Sequence, residues 1–236
     1  MLKIEKFVTA SPEQWEIIIE GARNPMNSWD RMDSYATYIE DPETLETAPF
    51  TYFVGDNDQK LLENLANGGP VHGKYRRMIP VWVTLTAPLY WWKEFDTYKV
   101  GTVANSCSTM HKIHAKEFTL GDFSCEHMRI ATKQHLIEDI FELNRWREIY
   151  LEGGFDSNFD GTERVFPPKD KDAWHQMIQL LPSSYNQKRT VMVNYEVLNN
   201  IYHSRKNHKL TEWHTFCDWI RELPYSELIT GEEEDV

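Results

Sequence analysis

Apolar and charged positions alternate over residues 2 to 8, LKIEKFV, which predicts a half-buried strand. Ser11-Pro12-Glu13 reads as a helix N-cap, a first helical residue and a first-turn acid. Trp15, Ile18, Ile19 and Ala22 then supply the apolar face of a helix ending near Asn24-Pro25. Residues 26 to 50 are rich in Asp, Glu and Pro and read as irregular or partly helical. Asp56 or Asn57 is expected to cap a short helix that Gly68-Gly69-Pro70 ends. Over residues 78 to 86, Ile79, Val81, Val83 and Leu85 alternate on one side of a strand. Pro80 predicts that the start of this strand is unpaired or at an edge. Ala87-Pro88 turns the chain into an aromatic-rich helical stretch, LYWWKEFDTYK.

Residues 101 to 112 are small and polar and read as a loop, and residues 113 to 124 as a short strand with a turn at Gly121-Asp122. A long amphipathic helix is predicted from Ile130 to Leu151, with Leu136, Ile137, Ile140, Phe141, Leu143 and Ile149 toward the core and Gly153-Gly154 ending it. Residues 154 to 170 read as a turn-rich surface loop, and residues 172 to 181 as a helix stopped by Leu181-Pro182. A basic segment, Asn186 to Arg189, leads into a long helix whose stripe holds Val193, Val197, Ile201 and either Leu198 or Ser204. Asn194, Asn199 and Asn200 fall inside this predicted helix, where the amide competes for backbone partners. Such a face is either partly solvated or lines a ligand site or subunit interface. Trp213, Phe216, Ile220 and Leu223 mark a last helix. The chain shows no repeat and no long linker, so one α+β domain over residues 1–228 is expected, with an acidic flexible tail over 229–236.

Composition narrows the function classes. With 236 residues, 41% hydrophobic and 13% aromatic, the chain has the makings of a real core. A formal net charge of -12 argues against a surface for duplex nucleic acid and requires local cations for any anionic ligand. The three cysteines, Cys107, Cys125 and Cys217, form no C-x-x-C pair, which fits free thiols in the cytoplasm rather than a disulfide framework or zinc site. No apolar run has the length of a membrane span, and no leader is read at the start. His111 and His114 stand at a metal-capable spacing with no third ligand signalled, so no metal is assigned. Nothing marks Cys107 as a nucleophile. The aromatic run from Tyr90 to Tyr98 suits a core or subunit interface better than a flavin stack.

Leu181-Pro182, Lys188, Val193-Asn194, Leu198, Asn200 and Arg205 follow one another at spacings that resemble the C-terminal signature of the flavin-dependent thymidylate synthases, the ThyX family. The helix before Gly68, the linker with His72, the strand, Ala87-Pro88 and the next helix resemble an earlier block of that family. The likeness runs from about residue 60 onward, and more vaguely over the first strand and helix. It implies a ThyX-like α+β fold, with a small mixed or antiparallel sheet flanked by long helices. It also implies a homotetramer with sites shared between chains, FAD and reduced folate as cofactors, and a pyrimidine nucleotide such as dUMP as substrate. In that comparison Arg205 takes the place of the catalytic residue that binds and polarises the pyrimidine. His72, Lys99, Asn194 and Asn200 take flavin-binding places, and Lys188, Arg189 and Ser108 substrate-binding ones. Lys188, Asn194, Asn200 and Arg205 are expected to converge, from neighbouring chains if necessary, on one pocket for a phosphorylated pyrimidine.

The chain departs from the family pattern at its most specific motif. R-H-R-x-x-S falls on Thr97-Tyr98-Lys99, then Gly101 and Thr102, and Met110 stands where S-x-R has its arginine. The family's Arg-Gln pair falls on Lys93-Glu94, and an arginine two residues after V-N becomes Glu196. Arginine forks a phosphate and lysine does not; each lost charge-assisted bond is worth about 1.5 to 3 kcal/mol. Three readings follow. One is a diverged flavin-dependent pyrimidine-nucleotide methylase or related nucleotide-modifying enzyme. Another is a catalytically inactive binding or interaction protein on the same scaffold, of phage or mobile-element character. The third is an unrelated α+β domain. On the bare pattern, Lys99 and Lys188 read equally well as solvated surface lysines.

Overall fold

The structure, a computed structural model, describes residues 1–37, 51–158 and 160–231. In chain order the elements are β1 (Lys3–Val8), α1 (Pro12–Arg23), β2 (Tyr35–Thr37), β3 (Thr51–Phe53), α2 (Asp56–Asn67), β4 (Pro80–Pro88), α3 (Leu89–Phe95), β5 (Val103–Ser106), α4 (Ile130–Glu152), β6 (Gly154–Ser157), β7 (Glu163–Phe166), α5 (Lys171–Leu180), β8 (Asn186–Asn194), α6 (Tyr195–Arg205), α7 (Thr211–Arg221) and α8 (Glu227–Thr230). Four strands form a sheet in the order β1-β4-β8-β5, and β2-β3 and β6-β7 form antiparallel pairs. The fold is α+β, as expected. Most of the stretch from 26 to 50 that was read as irregular lies outside the described residues, as do residues 232–236 of the predicted tail. The tail's first two residues, Ile229 and Thr230, are buried in α8.

The chain groups into two compact units. The first comprises Met1–Lys3, Leu85–Thr97 and Asn105–Arg189; the second comprises Ile4–Thr84, Tyr98–Ala104 and the chain from Thr190 onward. In the first unit α4 packs on α5, with Leu136, Ile140, Leu143, Trp146 and Ile149 facing Phe118, Phe123, Phe166 and Met177. Ile137 and Phe141, expected on this face, are 44% and 72% exposed. They lie to one side of the buried stripe, and Trp146 takes the core position instead. In the second unit α6 packs on α7 and α8 around Tyr195, Leu198, Ile201, Tyr202, Trp213 and Phe216. Trp15 stands against Tyr52, Tyr195 and Tyr225 in the same core.

Several local expectations hold. Ser11 caps α1 in a capping box, with Trp15, Ile18, Ile19 and Ala22 buried. Gly153 ends α4 at φ 82, a left-handed value suited to glycine. Others are corrected. The N-cap of α2 is Gly55, and the Asp33 carboxylate accepts the amides of Asn57 and Asp58 at 2.9 and 3.0 Å, so the cap comes from a distant side chain. Of the two alternatives for Pro80, the edge is removed because β4 is an interior strand; the proline is its first residue, where the ladder tolerates it. The loop read over 101 to 112 contains β5, the exposed end strand of the sheet. The strand read over 113 to 124 is instead two short 3-10 turns, with a single bridge from Phe123 to Tyr185. The surface loop read over 154 to 170 contains the β6-β7 hairpin, whose Phe166 is buried.

The largest correction concerns residues 186 to 194. They form a strand, and the helix begins only at Tyr195. Gln187, Val191 and Val193 are buried on one side of β8, a period of two that a helical template reads only in part. Asn194 is therefore not a mid-helix residue. It is the N-cap of α6, and its side-chain oxygen accepts the Val197 amide at 3.0 Å.

Candidate functional site

In the first unit a hollow of about 240 Å³ is lined by Lys3, Cys107, Ser108, Lys116, Asp122 and Lys188, together with Thr86, Thr109, Asn186 and Gln187. The alternation of β8 turns Gln187 inward and Lys188 outward. Two bonds bring the chain after β5 alongside: the Cys107 amide donates to the Lys188 carbonyl at 2.9 Å, and Gln187 Nε2 donates to the Cys107 carbonyl at 2.7 Å. That places Ser108 beside Lys188. Ser108 Oγ accepts the amides of Met110 and His111 at 3.3 and 2.8 Å, which fixes the hydroxyl at the start of a tight turn. Lys116 pairs with Asp122. Burial opposes the Asp122 charge, but bonds from Lys116 and Thr119 outweigh it and hold the carboxyl below its ordinary value. Lys116 is pushed up chiefly by its bond to Asp122. Three lysines and one carboxylate thus line the hollow, Lys116 and Asp122 paired with each other, together with hydroxyls and amides. Such a surface suits an oxyanion of phosphate size, held by point charges rather than guanidinium forks.

Arg189, the neighbouring candidate, is placed elsewhere. Its Nη1 donates to Asp96 at 2.7 Å, its Nε to Gln187 Oε1 at 2.9 Å, and its guanidinium lies over Trp92, 4.3 Å from the ring centroid.

The other candidates belong to the second unit. Arg205 is half-buried at the end of α6. Its Nε donates to the Tyr98 hydroxyl at 2.9 Å, and its guanidinium lies 4.9 Å from the centroid of Trp213. Asn194 caps α6 and lies against Gly101; a Cβ on Gly101 would come within 2.9 Å of its Nδ2, and Gly101 sits at φ +82, so that loop residue is suited to glycine. Asn200 lines a separate hollow of about 560 Å³ with Glu63, Arg76, Glu196, His203 and Glu227. There Arg76 Nε donates to Glu196 at 3.0 Å and Nη1 to the Leu228 carbonyl at 3.4 Å. Asn199 donates to the Ile229 carbonyl at 2.6 Å. His72 and Lys99 are exposed, His72 beside Gly68. Within one chain, Lys188 lines the hollow of the first unit and Asn200 that of the second, and Asn194 and Arg205 line neither of these two.

The buried Arg76–Glu196 pair escaped the sequence reading. Glu196 stands where the resemblance has an arginine, and a charge reversal of that kind is the signal that could have prompted a search for a compensating cation. The positions matched to the flavin motif are also put to structural use. Thr97 Oγ1 donates to the Glu94 carbonyl at 2.7 Å, Tyr98 holds Arg205, and Lys99 points outward. These residues do not fit a flavin held by arginines. The Cys217 thiol is buried, and burial pushes it up to about 11, so it stays protonated near neutrality. Among the described residues no group of three or more His, Cys, Asp or Glu is placed to hold a metal ion, and no helix is long and apolar enough to cross a membrane.

No family model matches this chain, and no curated protein is similar to it by the criterion of a significant match. Among solved structures it is similar to the flavin-dependent thymidylate synthase ThyX from Helicobacter pylori complexed with FAD and dUMP. The TM-score is 0.59 and the identity 12%, over 98% of this chain and 98% of that one. A second crystal structure of the same enzyme with FAD and dUMP gives the same TM-score and identity, over 98% of this chain and 97% of that one. The fold is therefore ThyX-like.

Proposed function

We propose that this protein binds a pyrimidine nucleotide such as dUMP, and that the lysine-lined hollow of the first unit takes the phosphate. One observation carries the reading. Lys188 and Ser108, assigned to the substrate by resemblance alone, line the same hollow and are joined there by Lys3 and Lys116. The solved structures of similar fold hold dUMP, which supports the same ligand class. Calorimetric titration with dUMP, UMP and deoxyuridine tests it. The nucleotides are expected to bind at least about tenfold more tightly than the nucleoside, a difference of ~1.4 kcal/mol. Equal affinity for dUMP and deoxyuridine overturns the reading.

A second reading concerns chemistry. Arg205, whose counterpart in the resemblance polarises the pyrimidine, is engaged by Tyr98 and Trp213. That favours nucleotide binding without methyl transfer over a diverged flavin-dependent methylase using FAD and reduced folate. Absorbance in the flavin bands of the purified protein, followed by turnover of dUMP with reduced flavin and folate, separates the two. The proposal includes an oligomer, supported by the exposed apolar residues Ile130, Ile137 and Phe141 along α4. Light scattering on the eluting protein checks this, and a monomeric mass removes it.

A further inference from the structure

On the reading of the lysine hollow as the phosphate site, we infer that Asp122 determines its specificity: the carboxylate restricts the hollow to a single phosphate group and disfavours di- and triphosphates. A carboxylate on the wall of an anion site works against binding, so its presence there calls for a reason. Asp122 is held from several sides. Its Oδ2 accepts the Thr119 amide at 2.8 Å and the Thr119 hydroxyl at 2.9 Å, and its Oδ1 accepts from the Lys116 ammonium. The next residue, Phe123, is buried and bridges to Tyr185. The side chain of Asp122 is 14% exposed and that of Lys116 69%. An arriving anion can therefore draw Lys116 toward itself, whereas the carboxylate stays on the wall.

The bonds to Thr119 do not themselves need a charge, since a neutral asparagine or serine oxygen also accepts a backbone amide. What the ionised group adds is its field. Bonds from Lys116 and Thr119 hold the carboxyl below its ordinary value, so it is ionised near neutrality. Three lysines against one carboxylate leave the wall with two positive charges in excess. The amino group of Met1, on the same wall, is paired with Glu126 and shifts that balance little. A phosphate monoester carries about 1.5 to 2 negative charges at pH 7, which this excess matches. The hollow, about 240 Å³, is smaller than the ~300 to 1,000 Å³ of pockets that enclose a whole small ligand, so it suits one phosphate group rather than a chain of them. The further phosphates of a triphosphate bring charge beyond the excess, close to a carboxylate fixed in place. Asp122 thus acts by repelling the wrong ligand rather than by attracting the right one.

Calorimetric titration of the full chain with dUMP, dUDP and dUTP, without divalent cations, tests this. The wild type is expected to bind dUMP about tenfold more tightly than dUTP, with dUDP between them. Asp122→Asn and Asp122→Ser both keep an acceptor for Thr119 and remove the charge. Each should tighten dUTP about tenfold and dUMP by no more than about threefold, so that the preference narrows. The serine variant serves if the asparagine variant does not fold, and the wild-type comparison needs neither. Equal affinity of the wild type for dUMP and dUTP, or tighter dUTP, overturns the inference. So does a preference unchanged in the neutral variants. Either result leaves the phosphate reading standing while deoxyuridine binds more weakly than dUMP; deoxyuridine binding as tightly as dUMP removes both.

Discussion

The cations of the two units are used differently. In the second unit the arginines at the centre of interest are tied into the fold. Arg23, 3% exposed, pairs with Asp58; Arg76 pairs with Glu196; Arg205 is held by Tyr98 and Trp213. In the first unit three lysines and one carboxylate line a single hollow. The difference follows from the side chains. A planar guanidinium offers five donors and an aromatic-stacking face, so it is readily absorbed into a network, whereas an ammonium is a point charge on a flexible stem, as where Lys116 takes the Asp122 carboxylate. Cations matched by sequence position alone do not reveal which of these fates applies. Arg189 and Lys188 are adjacent, and only Lys188 lines the hollow.

The largest effect that tests this contrast is on the most deeply tied arginine. Arg23 Nε lies 2.5 Å from Asp58 Oδ1, and Asp58 Oδ2 accepts the amides of Asp33 and Ser34 at 2.9 Å each and the Ser34 hydroxyl at 2.6 Å. Asp58→Ala leaves the Arg23 charge buried without compensation and is expected to cost about 3 to 5 kcal/mol, read by urea denaturation. The pH dependence has a definite sign. Burial opposes the Asp58 charge, but the bonds from Ser34, Asp33 and Arg23 overcome it, so the folded carboxyl titrates below its ordinary value. Its stabilising contribution is complete above the ordinary value, about 3.9, and is lost as pH falls through the folded one. The Asp58→Ala protein should show a flatter acid limb.

Next in size is Lys188→Ala, expected to weaken dUMP binding roughly ten- to a hundredfold, the range for a charge-assisted bond of about 1.5 to 3 kcal/mol. Stability should change by no more than about 0.5 kcal/mol, as for an exposed residue. Arg205→Ala should behave in the opposite way. It loses the Tyr98 bond and the Trp213 contact, about 1 to 2 kcal/mol together, with dUMP affinity unchanged. Affinity lost with Arg205 and kept without Lys188 would invert the comparison between the units and move the nucleotide to the second.

Much of the frame was legible in the sequence because local signals agreed. Ser11-Pro12 opens α1, the alternation from Ile79 to Leu85 marks β4, and Trp213, Phe216 and Ile220 mark α7. The failures share a cause. In residues 186 to 194 the buried side of a strand runs straight into a helix whose own buried residues, Val197, Leu198 and Ile201, continue the apolar series. One long helix and a strand followed by a helix leave similar apolar spacings over so short a span. The β6-β7 hairpin is mostly exposed, so it carries no core pattern to read. Of the candidate site, Ser108 and Lys188 were linked only by the resemblance, and the bonds that set them along one hollow, between Cys107 and β8, left no mark in the sequence. The engagement of Arg205 left none either, since its partners Tyr98 and Trp213 are brought to it only by tertiary packing.

The smallest expected effect bears on the asparagines, which the resemblance assigns to a flavin. Asn194 already has a structural duty, since its side-chain oxygen caps α6 and its amide nitrogen lies against Gly101. Asn194→Ala should cost about 1 kcal/mol, the usual loss for a helix cap. Asn194→Ser should recover most of that, because serine also caps. A residue retained only for ligand contact would give a different pattern: stability unmoved in both variants and affinity lost in both. Chemical denaturation and dUMP titration of the same two proteins therefore tell whether the end of β8 is held for the fold or for a ligand. Capping predicts that the order of stabilities, wild type, Ser, Ala, appears while the three affinities coincide.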